Sequence, residues 1–336
     1  MKVATVRLPA SIMSLTIEQQ PEPQVTAGKV KVRWHAFSLN FHDYAVVTGM
    51  MPISQTRIPA SDGAGEIVEV GPGVTGWEPG DKVMSLFFPK WQDGPATAEG
   101  MSCISGDSVD GFAVEFSVVD PDSLTRIPRG YTYAEAATLP CAALTAWRAL
   151  VEIGQIKPGD RVLVEGTGGV SVFALQFAKA HGAVVYATSS SDEKLQRLKD
   201  LGADFLVNYR TDSSWGETVQ ALSKGGVDHV IDVGGPTTLE HSILAARVDA
   251  NVVLVGLLGG METRINLACW MIRQQRIRPV AVGSRKMQQD MVRDIEAFNI
   301  KPVIDSSFPM DQLAEAFRYQ VSGRHLGKIV IEIAGA

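Results

Sequence analysis

The sequence predicts an α/β protein of two domains, a doubly wound parallel sheet covered by helices and a smaller, partly open β-barrel. Three observations carry this. From Arg161 through residue 299, short apolar strands alternate with helices, and strands joined by helices of this length pair in parallel with both faces covered. The first 125 residues read instead as strands and loops punctuated by Gly and Pro, as in "PEPQVTAG" and "GPGVTGWEPGD". Finally, a glycine-rich turn, "VEGTGGVS" (164–171), joins the first strand of the alternating region to an almost wholly apolar helix.

Each element has its own signal. "KVATVRL", "KVKVRWHAFSL" and "GAGEIVEVG" alternate or run apolar over short stretches and are strands of the barrel. Near Pro128 the texture changes, and "YTYAEAATLPCAALTAWRALVEIG" is Ala- and Leu-rich and helical, with a break expected at Pro140. "RVLVEG" is a strand, "VSVFALQFAKAHG" a helix and "AVVYATS" a strand. "DEKLQRLKDLG" is a helix ended by Gly202, and "DFLVNY" and "DHVIDVGG" are further strands. A helix starting near Thr237 leads to the strand "NVVLVGLLG". After "RPVAVGS" and a helix near 285–299, the chain closes on "GKIVIEI", a strand able to rejoin the first domain. The expected boundaries are a barrel domain of residues 1–125 and 300–336 and a dinucleotide-binding domain of residues 126–299.

Composition excludes several roles. At 336 residues the chain can bury a large core, and 45% hydrophobic with 20% charged residues is ordinary for a globular protein. A net charge of −6 without a basic block argues against nucleic acid or an anionic membrane as partner. The N-terminal stretch is interrupted by Arg7 and Pro9, and "VVLVGLLGGM" (252–261) is about half a membrane span, so a cytosolic location is expected. Cys103, Cys141 and Cys269 are few, odd in number and far apart, which suits a reducing compartment and excludes a four-cysteine zinc site.

The glycine-rich turn points to a dinucleotide. Gly166 suits the sharp turn out of the strand and Gly168 lets a diphosphate approach the backbone. With Thr167, Gly169 and Val170, they present the free N–H groups of a helix start to an anion. Ser171 stands where a third glycine is usual but is small enough for close packing. The second strand ends at Thr188, where an acid would grip the ribose and repel a 2′-phosphate. Ser189, Ser190 and Ser191 stand there instead, with Lys194 one helical turn beyond Ser190. Hydroxyls and an ammonium at a helix start suit a dianionic phosphate, while Asp192 and Glu193 fit the first turn of the helix. Tyr209 and Arg210, after the third strand, are further candidates to flank that phosphate. The expected cofactor is NADP(H). The plainer alternatives are a loop that only turns the chain and a serine cap with a solvated lysine.

Together, "VLVEGTGGVSVFALQFAKAHGA", "SLNFHDYAVVTG", "SDGAGEIVEVG", "GDKV", "LPCAALTAW" and "GKIVI" resemble the medium-chain dehydrogenase/reductase superfamily along the whole chain. The resemblance is greatest to its zinc-free, quinone-oxidoreductase-like and alcohol dehydrogenase-like branch. It implies a GroES-like catalytic domain around a Rossmann domain, and a homodimer formed through the edge of the Rossmann sheet. At the positions of the family's zinc ligands stand Asn40, Ser61 and Cys141, of which only Cys141 matches, so no metal is expected. A site from Cys141, His42 and Asp62 is the minor alternative.

Without a Lewis acid, charge on a substrate oxygen must be met by hydrogen-bond donors. The catalytic candidates are Asn40, as a donor to the substrate oxygen or nicotinamide ribose, Tyr44 as a proton donor, Asp43 and Asp62, with His42 as a weaker candidate. The resemblance further implies Thr145 near the nicotinamide, and backbone contacts to the carboxamide from Gly256, Leu257, Val282 and Gly283. His325 and Lys328 are candidates to reach the same cofactor. The loop at 87–111, with Phe87, Phe88 and Trp91, either walls an apolar substrate pocket or caps the barrel core. The implied reaction is NADPH-dependent reduction of a small hydrophobic quinone, α,β-unsaturated carbonyl or aldehyde. Reduction of an enoyl-thioester and a non-catalytic NADPH-binding role are the alternatives.

Overall fold

The computed structural model describes residues 1–333, without the side chain of Cys269. They group into two units, Met1–Leu144 with the chain from Val282 onward, and Thr145–Ala281. In the first unit β1 (Lys2–Val6) and β2 (Leu15–Gln19) form an antiparallel ribbon. β3 (Val30–Ser38), α1 (Phe41–Val47), β4 (Ala64–Val70), β5 (Lys82–Ser85), β6 (Phe116–Val119) and β7 (Leu124–Arg126) follow. Next comes a short helix, α2 (Tyr133–Ala136), and a second, α3 (Leu144–Trp147), begins at the last residue of this part of the unit and continues into the second unit.

The second unit carries β8 (Arg161–Glu165), α4 (Gly169–Ala180), β9 (Val184–Ser189), α5 (Asp192–Asp200) and β10 (Phe205–Asn208). It continues through α6 (Trp215–Leu222), β11 (Val227–Asp232), α7 (Leu239–Ala245), β12 (Ala246–Leu254), α8 (Leu267–Arg273) and β13 (Arg276–Pro279). These six strands run parallel in the order β10-β9-β8-β11-β12-β13. The order reverses between β8 and β11, the switch point at whose carboxyl ends ligands bind in such sheets. Val162, Leu163, Val164, Val230, Val252 and Val253 are fully buried, as strands covered on both faces require.

The chain returns to the first unit through α9 (Arg285–Phe298), β14 (Ile304–Pro309), α10 (Leu313–Val321) and β15 (Lys328–Glu332). β15 pairs antiparallel with β3, completing the sheet order β14-β15-β3-β4-β5-β7, with β6 also on β3. Its core includes Val32, Trp34, Phe37, Ile67, Phe317 and Ile331. Among the described residues no helix is long and apolar enough to cross a membrane.

The helical run breaks just before Pro140, as expected: α2 ends at Ala136, and a π turn at Leu139–Ala143 begins with the proline in its first positions, where a missing N–H costs little. The unit boundaries lie further in than residues 125 and 300, since the first unit runs to Leu144 and resumes at Val282. Tyr133 stacks on His35 of β3 at 4.2 Å, and Gln288 of α9 donates to Ser85 O and Thr125 Oγ1 at 2.9 and 2.7 Å. These contacts fasten 126–144 and 282–299 to the first unit.

Candidate active site

In the first unit, β3 ends at Ser38 and α1 starts after Asn40, so a short link sets Leu39 and Asn40 beside β15 and the start of β4. Lys328, the first residue of β15, turns inward and is 3% exposed. Its Nζ donates to Leu39 O at 2.8 Å and to Asn40 Oδ1 at 2.5 Å, and lies 3.8 Å from Asp62 Oδ2. The Asn40 amide nitrogen donates to Ser61 Oγ at 3.1 Å and Asp62 Oδ2 at 2.9 Å, and Ser38 Oγ donates to the same Asp62 oxygen at 2.8 Å. Asp62 is fully buried, and its Oδ1 has no hydrogen-bond partner among the described residues. Burial pushes this carboxyl up to about 6, against the pull of the Lys328 ammonium. The cluster therefore holds an ammonium, an amide and a carboxyl that can change protonation near neutral pH.

This geometry sorts the sequence candidates. Asn40 and Asp62 come together, but both amide hydrogens of Asn40 are engaged, which removes it as a direct donor to a substrate oxygen. Asp43 Oδ2 accepts from Asn40 N–H and Oδ1 from Ser61 N–H, each at 2.8 Å, so Asp43 orders the backbone of the cluster. Tyr44 turns away and packs with Phe41, ring centroids 6.1 Å apart, against the barrel core. Cys141 has its thiol pushed well above the usual range by burial and by Asp62. Lys328, a remote candidate for cofactor contact in the sequence, is instead the cation of this cluster. His325 lies near Tyr319, ring centroids 6.5 Å apart.

His42 sits between Asp43 and Asp107, its two ring nitrogens each 3.5 Å from a carboxylate oxygen. Burial pulls the ring toward neutrality, but the Asp107 and Asp43 carboxylates outweigh it and raise the imidazole from 6.5 to about 9. The folded value is the raised one, so this stabilisation is complete below 6.5 and is lost as pH rises through about 9. His42→Ala is therefore expected to lower the unfolding free energy by about 1–3 kcal/mol near neutrality and by much less at strongly alkaline pH, read from denaturant melts. The His42 ring meets Phe87 edge-on at 5.1 Å, and Phe87, Phe88 and Trp91 are buried. The loop aromatics are interior and pack on one another, Phe87 edge-on to Phe88 at 4.8 Å and Phe88 tilted on Trp91 at 6.1 Å.

In the second unit Gly166 has φ +72, a left-handed turn that favours glycine. A Cβ at Gly166 or Gly168 would meet open space, leaving a cradle at the start of the twelve-residue helix α4. Thr167, Gly169 and Val170 continue that start. Ser171 is buried and donates to Glu165 O at 2.6 Å, so the unusual third residue ties α4 to β8. Thr188 and Ser189 are buried at the end of β9. Ser189 Oγ accepts from Ser191 N–H at 3.3 Å, and Ser191 caps α5 by accepting from Lys194 N–H at 3.3 Å. Ser190 is partly exposed beside them. Lys194 Nζ lies 3.4 Å from Thr167 Oγ1, joining the α5 start to the glycine turn. Asp192 is turned to Asn208 Nδ2 at 2.6 Å, and Tyr209 is exposed next to it.

The remaining candidates are spread over both units. Thr145 is buried just after the unit boundary. Gly256, where a Cβ would meet Val233 O at 2.4 Å, and the exposed Leu257 follow β12. Val282, at φ +45, and Gly283 open the return to the first unit. Among the described residues no three His, Cys, Asp or Glu side chains converge as a metal site. Sequence reasoning missed the Lys328 contacts and the His42–Asp107 pair. A lysine opening the otherwise apolar "KIVI" was the one available signal; the 65-residue separation of the pair hid the other.

A family model described as "Alcohol dehydrogenase GroES-like domain" matches residues 26–129, and one described as "Zinc-binding dehydrogenase" matches residues 169–297. The chain is 42% identical over 326 residues to a zinc-type alcohol dehydrogenase-like protein of Schizosaccharomyces pombe, covering 94% of each. A solved structure from Sinorhizobium meliloti superposes with a TM-score of 0.92 at 36% identity, over 99% of this chain and 100% of that one. The structure of an NAD-dependent alcohol dehydrogenase does so with a TM-score of 0.91 at 32% identity, again over 99% and 100%.

Proposed function

Since the chain belongs to the medium-chain dehydrogenase/reductase superfamily, in its alcohol dehydrogenase-like branch, we propose that it is a cytosolic, NADPH-dependent, zinc-independent oxidoreductase. Its substrate would be a small quinone, α,β-unsaturated carbonyl or aldehyde. The observation that carries this is the Lys328 ammonium, which supplies the positive charge of the Asn40–Asp62 cluster.

The donor set does not fit zinc. Ser61 and Asn40 offer a hydroxyl and an amide, poor donors for this metal. Asn40 Oδ1 is engaged by Lys328, and the buried ammonium repels a second cation. An active, chelator-washed preparation is expected to hold far less than one zinc per chain by elemental analysis; near-stoichiometric zinc would reverse the assignment.

The second unit fits a dinucleotide. The open cradle at Gly166 and Gly168 and the free N–H groups of α4 would receive the diphosphate. Ser190, Lys194 and Thr167 suit a 2′-phosphate, and the end of β9 has no acid to repel it. Bound there, NADPH supplies the hydride. In the first unit Lys328 fixes the Asn40 amide, and Asn40 with Ser38 holds Asp62 Oδ2, leaving Asp62 Oδ1 to carry the proton that balances the hydride. Thr145, Gly256, Leu257, Val282 and Gly283 remain proposed contacts for the nicotinamide end. A homodimer is supported by β13, the outermost strand of its sheet, and by exposed Leu267, Met271 and Ile272 beside it.

NADPH oxidation measured with a quinone, an α,β-unsaturated ketone, an aldehyde and an enoyl-thioester tests the reading. Turnover of one of the first three is expected. Turnover of the thioester alone would move the substrate class, and NADPH binding without turnover would favour a non-catalytic role.

A further inference from the structure

Beside the dinucleotide turn two buried carboxyls converge on one hydroxyl. Glu165 ends β8, immediately before Gly166, and Asp232 ends β11. Ser242 Oγ of α7 lies 2.6 Å from Glu165 Oε1 and 2.6 Å from Asp232 Oδ2. The three residues are 3%, 0% and 0% exposed in the order Glu165, Asp232, Ser242. Asp232 Oδ1 accepts from Gly235 N–H and the Thr238 hydroxyl, each at 2.8 Å, whereas Glu165 Oε2 accepts from Val233 N–H at a longer 3.4 Å and shares the Thr238 hydroxyl with Asp232.

Proton counting then decides the state of the pair. A serine hydroxyl has one hydrogen and can donate to one carboxylate. The second 2.6 Å contact needs its hydrogen from a carboxyl. Among the described residues no Lys, Arg or His side chain hydrogen-bonds or ion-pairs with either acid. From the packed elements, α7 brings Glu240, which is exposed, and His241, which stacks on Trp215. α4 brings Ser171 and Lys179, the latter paired with Asp204, and β9 brings uncharged Thr188 and Ser189. On β12, Arg247 pairs with Asp228 and Asp249 with Arg276. Two full negative charges here would be buried without a counter-ion.

We propose that Glu165 and Asp232 share one proton through Ser242, as Glu165 Oε1–H to Ser242 Oγ and Ser242 Oγ–H to Asp232 Oδ2. The pair then carries one negative charge, not two, next to the turn that receives the cofactor diphosphate. Glu165 is the acid that keeps the hydrogen, because Asp232 has the better set of donors. Burial and the Asp232 charge raise Glu165 well above the carboxylate range, and burial raises Asp232 as well. At alkaline pH the proton leaves to solvent, and two like charges remain on one hydroxyl. Only the link to cofactor affinity rests on the function proposed above.

Glu165→Gln tests it without adding bulk, since an amide donates to Ser242 without needing a proton. The folded acid binds its proton more tightly than the unfolded one, so wild-type stability falls as pH rises from the ordinary carboxylate value through the raised one. The gain in thermal midpoint of Glu165→Gln over wild type is therefore expected to widen from weakly acidic to alkaline pH. An infrared carboxylic-acid C=O band of the wild type at neutral pH is expected to vanish in the variant. A flat midpoint difference above weakly acidic pH, or no acid band lost, would overturn the proposal. Asp232→Asn carries the same test should Glu165→Gln not fold, because it also leaves one carboxyl for one hydroxyl. With NADPH as ligand, wild-type affinity should fall at alkaline pH more than that of Glu165→Gln. Parallel falls would break the link to the cofactor. Absence of any NADPH binding, with the band and midpoints as expected, would overturn the cofactor reading and leave the shared proton standing.

Discussion

Lys328→Met is expected to lower the unfolding free energy by about 3–5 kcal/mol, the usual cost of removing one partner from a buried charge pair. Methionine keeps much of the stem, so the change isolates the ammonium. Leu39 O and Asn40 Oδ1 lose their donor, and Asp62, fully buried, loses the nearby positive charge that holds its proton affinity down. Asp62 responds by keeping its proton to higher pH than its present value of about 6. Since this folded value lies above the ordinary 3.8, stability falls as pH rises between the two, and in the variant the fall continues further. The deficit against wild type should therefore be smaller at weakly acidic pH and grow above about 6. Adding Asp62→Asn should recover stability, because it removes the unpaired charge, while kcat/KM stays low by about 100-fold, as loss of a positioned proton donor gives. Denaturant melts of the wild type and the two variants across pH check this, and equal midpoints for Lys328→Met and wild type would dissolve the network.

Lys194→Ala is expected to weaken NADPH about 10–100-fold while leaving NADH within a few-fold. A hydrogen bond to a charged group contributes about 1.5–3 kcal/mol, and each 1.4 kcal/mol is about tenfold in affinity. The α5 cap survives, because Ser191 receives the backbone N–H of residue 194 and alanine keeps it. What is lost is the ammonium that spans from the start of α5 to Thr167 in the glycine turn. Fluorescence titration with both cofactors reads the ratio. Equal weakening of the two would remove Lys194 from phosphate recognition.

Much of the second unit was legible because its determinants are local. Strand and helix periods, the glycine at φ +72 and the serine cap of α5 each act within a few residues. Ser171 shows the limit: its size was readable as tolerated, but its bond back to Glu165 O depends on where the strand end lies relative to the helix. The break at Pro140 was legible because proline acts locally: it is held in the first positions of a new turn, where it lacks only a hydrogen bond it would not have made. The burial of the loop aromatics Phe87, Phe88 and Trp91 was not legible, because it is set by the packing of the loop and not by its composition.

By itself the sequence determined the alternation of strands and helices, the glycine-rich turn before α4 and the missing acid at the end of β9, because backbone propensity and residue type suffice for those. Only the tertiary structure decided that Lys328 joins Asn40 and Asp62 across 288 and 266 residues of chain, and that Glu165, Asp232 and Ser242 meet at one hydroxyl. Charge and proton inventories are properties of a burial site, and a site assembled from distant strands has no local pattern to announce it.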